Sequence, residues 1–230
     1  MKSASAIFGK QLRDTFKNRM VLIQFIVFPM MAFLMTELVA KADDTIPNSM
    51  FVTMFAAMFV GMTPLMMNAA IAEDREHKSL RFLIMAGVKP WEYLLGIGGF
   101  VLLMSSLVSV IFGLISGFAG MELIRLIAVL IIGSIASALL GATIGIASKN
   151  QQAATALGTP VFMVLAFSPM IAQFNETVEK VASVFYTQQV NILVNNASAN
   201  ALKPFLIIAA NIAVLVILFM AVYKKKGLKA

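Results

Sequence analysis

Apolar residues along the chain come in unbroken blocks of about twenty, separated by short polar clusters. About twenty residues is the helical length needed to cross the hydrocarbon layer of a bilayer. Six such blocks predict spans over about 20–38, 50–72, 93–118, 123–147, 153–172 and 204–222. A tight turn at Gly120 separates the third from the fourth, and Lys149-Asn150-Gln151-Gln152 turns the fourth into the fifth. Ahead of them, Phe8, Leu12 and Phe16 recur every fourth residue over 3–18, with Lys10, Arg13 and Lys17 off that stripe. This is the pattern of an amphipathic helix lying in the membrane interface, or of an extension of the first span. Residues 173–203 carry amphipathic pieces but no run long enough to span, and form an outer segment. The expected fold is therefore an all-α polytopic membrane protein with both ends on one side. Residues 40–42 resemble a signal cleavage site. The basic stretch before the first span and the length of that span both exceed those of a signal peptide, so retention is expected.

Composition agrees with the pattern. Hydrophobic residues make up 60% and charged residues 13%, against roughly half and a quarter in a soluble domain. The net charge of +7 does not indicate nucleic acid, because the basic residues are clustered between apolar blocks. Of the 18 lysines and arginines, only Lys41, Arg125, Lys180 and Lys203 fall on the side opposite the N-terminus. The positive-inside rule then makes both termini cytoplasmic, in a plasma membrane that is expected to be bacterial. With no cysteine and one histidine, His77, thiolate and multi-histidine metal sites are excluded. No Walker A or zinc-protease motif occurs. Every acid except Glu37 falls in a loop or at a span end, which argues against an ion-coupled pump or an intramembrane enzyme.

The informative segment is Glu73 to Gly96, EDREHKSLRFLIMAGVKPWEYLLG. It reads as acids at a helix N-terminus, an apolar stripe of Leu80, Leu83 and Ile84, a stop at Gly87 and Pro90, and re-entry through headgroup-level Trp91 and Tyr93. A solvated loop with snorkelling ends is the plainer reading.

This segment resembles the first cytoplasmic loop of ABC-2-type permeases, the membrane subunits of ATP-driven exporters. Glu73-Asp74-Arg75-Glu76 matches the charged run, Ser79-Leu80-Arg81-Phe82-Leu83 the short helix, and the stretch from Gly87 to Gly96 the exit. Lys78-Ser79 stands where Gly-Thr is common, and Ile97 where lysine often follows the glycine. The basic N-terminal helix and the six-span plan are also similar, so the resemblance covers essentially the whole chain.

The resemblance implies that 73–92 docks a separate ABC ATPase, which holds the ATP and magnesium; this chain itself would hold no cofactor. Leu80, Leu83 and Ile84 would fill a groove of that ATPase, with Glu73, Arg75, Glu76 and Arg81 pairing at its rim. A second permease copy or a homologous permease would complete the complex. A drug or antimicrobial peptide is the expected exported substrate, with a lipid or polysaccharide as the alternative. A non-transporting membrane scaffold is the reading from another class.

Further features carry two readings each. Gly133, Ser137, Gly141 and Gly145 recur every fourth residue along the fourth span, for close packing inside one subunit or for an interface between permeases. Asn68 and Asn211 are interhelical hydrogen-bonders or substrate contacts. Met62, Met66 and Met67 fill gaps or line an adaptable pathway.

Overall fold

The computed structural model describes residues 2–17, 19–42, 45–195 and 201–226. The described residues form ten α-helices and one short 3-10 turn, without strands. They are α1 (Lys2–Lys17), α2 (Arg19–Leu38), α3 (Ser49–Glu76), α4 (Ser79–Met85), α5 (Pro90–Ser116), α6 (Met121–Ala147), α7 (Gln151–Ala172), α8 (Glu176–Ala182), α9 (Tyr186–Asn195) and α10 (Leu202–Lys226). Six of them, α2, α3, α5, α6, α7 and α10, are long and apolar enough to cross a membrane. The segments that qualify are Leu22–Ala42, Ser49–Glu76, Trp91–Ser116, Met121–Ala147, Gln151–Ala172 and Leu202–Lys225. Each apolar block read from the sequence thus coincides with one long helix. The basic clusters of α1, the α3–α5 connection, the α6–α7 turn and the end of α10 share one end of the bundle, called here the basic end.

α3 is the central post. It packs against α2, α5, α6, α7 and α9, and its apolar window is the most buried of the six. Phe59 marks its centre: the rings of Phe25 and Phe28 from α2 and Phe112 from α5 surround it at centroid distances of 6.3, 6.4 and 6.1 Å. Tilted and edge-on pairs of this kind add specificity to plain apolar contact. α10 is the opposite case, packing on α6 and α9 while most of its surface faces outward.

Residues 173–195 hold two short helices. Asn175 caps α8 by accepting from the backbone N–H groups of Thr177 and Val178. α9 then turns back into the bundle against α3, α6, α7 and α10. Its Tyr186, Thr187, Gln188, Gln189, Val190, Asn191 and Leu193 are all buried. The outer segment expected from sequence is thus in part an inserted helix, too short and too polar for any hydropathy window to detect.

Candidate functional site

The basic end of α3 is where the chain collects its charged contacts. The helix runs on to Glu76, so the acids of the charged run sit in its C-terminal turn. This corrects the expectation that they open the next helix. A carboxylate is unfavourable beside the negative end of the helix dipole, and Asp74 is in addition only 4% exposed. Its two oxygens are both satisfied. Lys10 Nζ of α1 lies 2.6 Å from Oδ1, and the Tyr93 hydroxyl of α5 donates to Oδ2 at 2.8 Å. Burial pulls the Lys10 ammonium down, but the hydrogen bond and charge of Asp74, with Asp14 and Glu73 adding, leave it above the usual lysine value.

The neighbouring residues reach other helices. Arg75 donates to the carbonyl of Ile146 at the end of α6. The Glu76 carboxylate accepts the backbone N–H of Gln151 at the start of α7, at 3.1 Å. Arg75 and Glu76 are therefore each engaged with a backbone group of their own subunit, Glu76 while remaining exposed. Glu73 and Arg81 are exposed.

Lys78 then adopts φ +58°, a left-handed conformation that non-glycine residues seldom take, and redirects the backbone into α4. The short helix has two faces. Leu80 is 2% exposed and Leu83 is half-buried against the core, so Leu80 anchors α4 to its own chain and does not fill an external groove. The outward face carries Arg81 with Phe82 and Met85, the last two 67% and 74% exposed. The side chain of Ile84 lies outside the described residues. Gly87, at φ +80°, ends the helix as its sequence position suggests. The Val88 N–H bonds back to the Leu83 carbonyl at 3.0 Å, a Schellman-type closure. Pro90 starts α5, and the Glu92 carboxylate accepts the Lys89 N–H at 3.3 Å.

Two further residues of the exit sequence take on specific work. Tyr93 is 3% exposed and bound to Asp74, so only Trp91 of the two aromatics stays at the surface. Gly96 makes room for α1: a Cβ there would lie 2.6 Å from Cγ2 of Ile7 and 3.0 Å from the Ala4 carbonyl. Phe8 meets Phe100 edge-on at 6.3 Å. α1 therefore lies along α5, with Ile7, Phe8, Leu12 and Thr15 turned toward the protein and Phe16 exposed.

The small-residue stripe of α6 packs within the subunit. A Cβ on Gly133 would lie 2.7 Å from Val190 and 2.9 Å from Val60, and one on Gly145 would lie 2.8 Å from Ile71. Ser137 bonds the Val60 carbonyl and, at 2.8 Å, the Tyr186 hydroxyl. Gly141 is buried with them. The geometry is that of the intrasubunit reading of this stripe.

The amides also join helices. Asn68 is fully buried and donates to the Ala154 carbonyl of α7 at 3.2 Å. Asn211 donates to the Val184 carbonyl at 3.0 Å, tying α10 to the turn before α9. Asn211 also borders an apolar recess of about 370 Å³ between α7 and α10, with Leu140 of α6 and Phe185 and Tyr186 on its walls. Met66 and Met67 are buried, and Met62 is half-buried against the core. Glu37, the acid that stood apart in the sequence, is a surface residue paired with Lys41 one turn on, at 2.6 Å.

Sequence reading missed Asp74, Tyr93 and Lys10 as a group. A signal existed for Asp74. Met67, Ile71 and Asp74 follow the 0, 4, 7 spacing of one helix face, and all three are buried. Extending the second span by one turn places the carboxylate on the buried stripe. Its partners, 64 and 19 residues away in sequence, left no comparable trace.

A family model described as ABC-2 family transporter protein matches residues 4–223, nearly the whole chain. No curated protein matches it.

Proposed function

Because this chain belongs to the ABC-2 family of transporter proteins, we propose that it is the permease subunit of an exporter driven by a separate ATPase subunit that docks on α4. The observation that carries this reading is the outward face of α4. Phe82 and Met85 stand one turn apart, largely exposed, beside Arg81. They project from the basic end, which the positive-inside rule makes cytoplasmic, so their apolar surface meets water unless another protein covers it. An apolar pair rimmed by charge is the usual make-up of an interface centre. The inner face, through Leu80, fastens the helix to the bundle, so a load applied to Phe82 and Met85 is transmitted inward.

The ATPase would hold ATP and magnesium, and its two nucleotide states would bind α4 in two positions. A difference in affinity between those states is what moves the permease. A second permease, identical or homologous, completes the pathway in this reading. The α2–α3 and α5–α6 connections at the end opposite the basic one are short, and the recess beside Asn211 is apolar. Both features favour a drug or antimicrobial peptide as cargo in the plasma membrane. The position of that recess, between two spans that expose large apolar side chains, favours a lipid as the second reading.

The test is co-purification from the native membrane in mild detergent. Wild-type chain should bring down a stoichiometric P-loop ATPase, and Phe82→Asp should lose it while still inserting and folding. An ATPase retained by both Phe82→Asp and Met85→Asp removes α4 as the docking element. No ATPase with the wild-type chain leaves a scaffold role in its place.

A further inference from the structure

We propose that Asp74 is a positioning residue whose bonds to Lys10 and Tyr93 clasp the base of the α4 loop, so that α1, α3 and α5 move as one body when α4 is displaced. The inference rests on the docking role of α4 proposed above.

Three observations lead to it. First, Tyr93 and Asp74 stand on opposite sides of the α4 loop. Asp74 lies just before the Lys78 turn and Tyr93 just after the Pro90 start of α5. Their 2.8 Å bond joins the entry of the loop to its exit and makes α4 the tip of a closed hairpin. Displacement of the tip then has to move both stems.

Second, the carboxylate is costly where it is. It is buried and at the unfavourable end of a helix, and a buried charge is tolerated only when it is fully paired. Releasing either partner exposes that cost, so the arrangement resists being pulled apart.

Third, α1 otherwise meets α5 through apolar contacts, Ile7 in the notch at Gly96 and Phe8 on Phe100. Apolar contact is non-directional and permits sliding. A charge-assisted hydrogen bond has defined geometry and fixes register. Lys10 to Asp74, at 2.6 Å, is the one such bond described between α1 and α3. The same helix end holds α6 through Arg75 and α7 through Glu76. Three consecutive residues thus reach four other helices.

The chain has no cysteine, so paired spin labels can be introduced without background. Labels at Arg13→Cys on α1 and Leu103→Cys on α5, both exposed positions, report the separation of the two helices. The complex is purified with its co-purifying ATPase and measured without nucleotide and with ATP plus vanadate. The expected wild-type result is a narrow distance that is the same in both states. Asp74→Asn and Tyr93→Phe should keep the ATPase bound, broaden the distribution, and shift it on trapping. Asp74→Glu, which retains the charge, should narrow it again. A wild-type distance that moves on trapping overturns the proposal. So does a distribution in both Asp74→Asn and Tyr93→Phe that stays as narrow and fixed as wild type. Tyr93→Phe removes a single hydroxyl and serves if Asp74→Asn does not fold. Failure of the wild type to bring down an ATPase would instead reject the docking reading, and the nucleotide-free widths would still decide whether the clasp holds.

Discussion

Replacing Gly145 by alanine adds one methyl group where α6 crosses α3. The new carbon would lie 2.8 Å from Cβ of Ile71, 2.9 Å from the Asn68 carbonyl oxygen and 3.2 Å from Asn68 Cα. Comfortable carbon contacts are about 3.5–4.0 Å, so the crossing must open by several tenths of an ångström. Two of the three obstructing atoms belong to the α3 backbone, and no rotamer change moves them. Overpacking of this kind costs about 1–3 kcal/mol. The better helix propensity of alanine returns about 1 kcal/mol, and a net loss of up to about 2 kcal/mol is expected. The same opening strains the Asn68 bond to Ala154 and the Arg75 bond to Ile146. Gly9→Ala is the control: no atom lies within 4 Å of its Cβ position, so only the propensity gain remains and the protein should be slightly more stable. The assay is reversible unfolding in mixed detergent and SDS micelles, followed by circular dichroism at two protein concentrations. An intrasubunit crossing predicts a loss that does not depend on concentration. If Gly145→Ala is neutral at high dilution and destabilised only where the protein self-associates, the packing argument fails and the stripe belongs between copies.

Other substitutions test other parts of the fold. Gly87→Ala meets no neighbour but forces a side chain into φ +80°, at about 1–2 kcal/mol; trypsin should cut faster at Arg81 and Lys89, while the unfolding midpoint of the bundle changes little. Ser137→Ala should cost about 1–3 kcal/mol, because it strands the buried Tyr186 hydroxyl and a backbone carbonyl. Tyr186→Phe should cost less, since Ser137 keeps its bond to Val60, and the difference between the two is read in the same unfolding assay. The Lys10 contribution has a defined pH window. Its folded value lies above the ordinary 10.5, so its stabilisation is complete below 10.5 and is lost as the pH rises through the folded value. The α1–α5 distance should therefore be constant from neutral pH up to about 9.5, and a change near neutral pH would show that Lys10 is not the group holding α1.

The α4 loop shows where sequence reasoning stops. Gly87 and Pro90 announced the end of one helix and the start of the next, because a left-handed backbone and a missing N–H are properties of those residues themselves. The orientation of α4 was not legible. Leu80, Phe82, Leu83, Ile84 and Met85 make a seven-residue helix apolar nearly all round, and periodicity cannot choose its inward face. The position of α3 against α4 turned Leu80 in and left Phe82 and Met85 out. Likewise the glycine spacing on α6 announced close contact but not the partner.

By itself the sequence determined the six long apolar helices, the family and the element that ends in Gly87. Each of these depends on local quantities: the thickness of hydrocarbon a helix must cross, the charges flanking it, and backbone conformations reserved for particular residues. The tertiary structure alone decided that Tyr186–Asn195 enters the bundle, that Gly145 faces Ile71, and that Asp74 is held by Lys10 and Tyr93. Those outcomes depend on which helices become neighbours. A neighbour 64 residues away is chosen by the packing of the whole bundle and by the need to pair a charge once it is buried, and neither leaves a period or a motif along the chain.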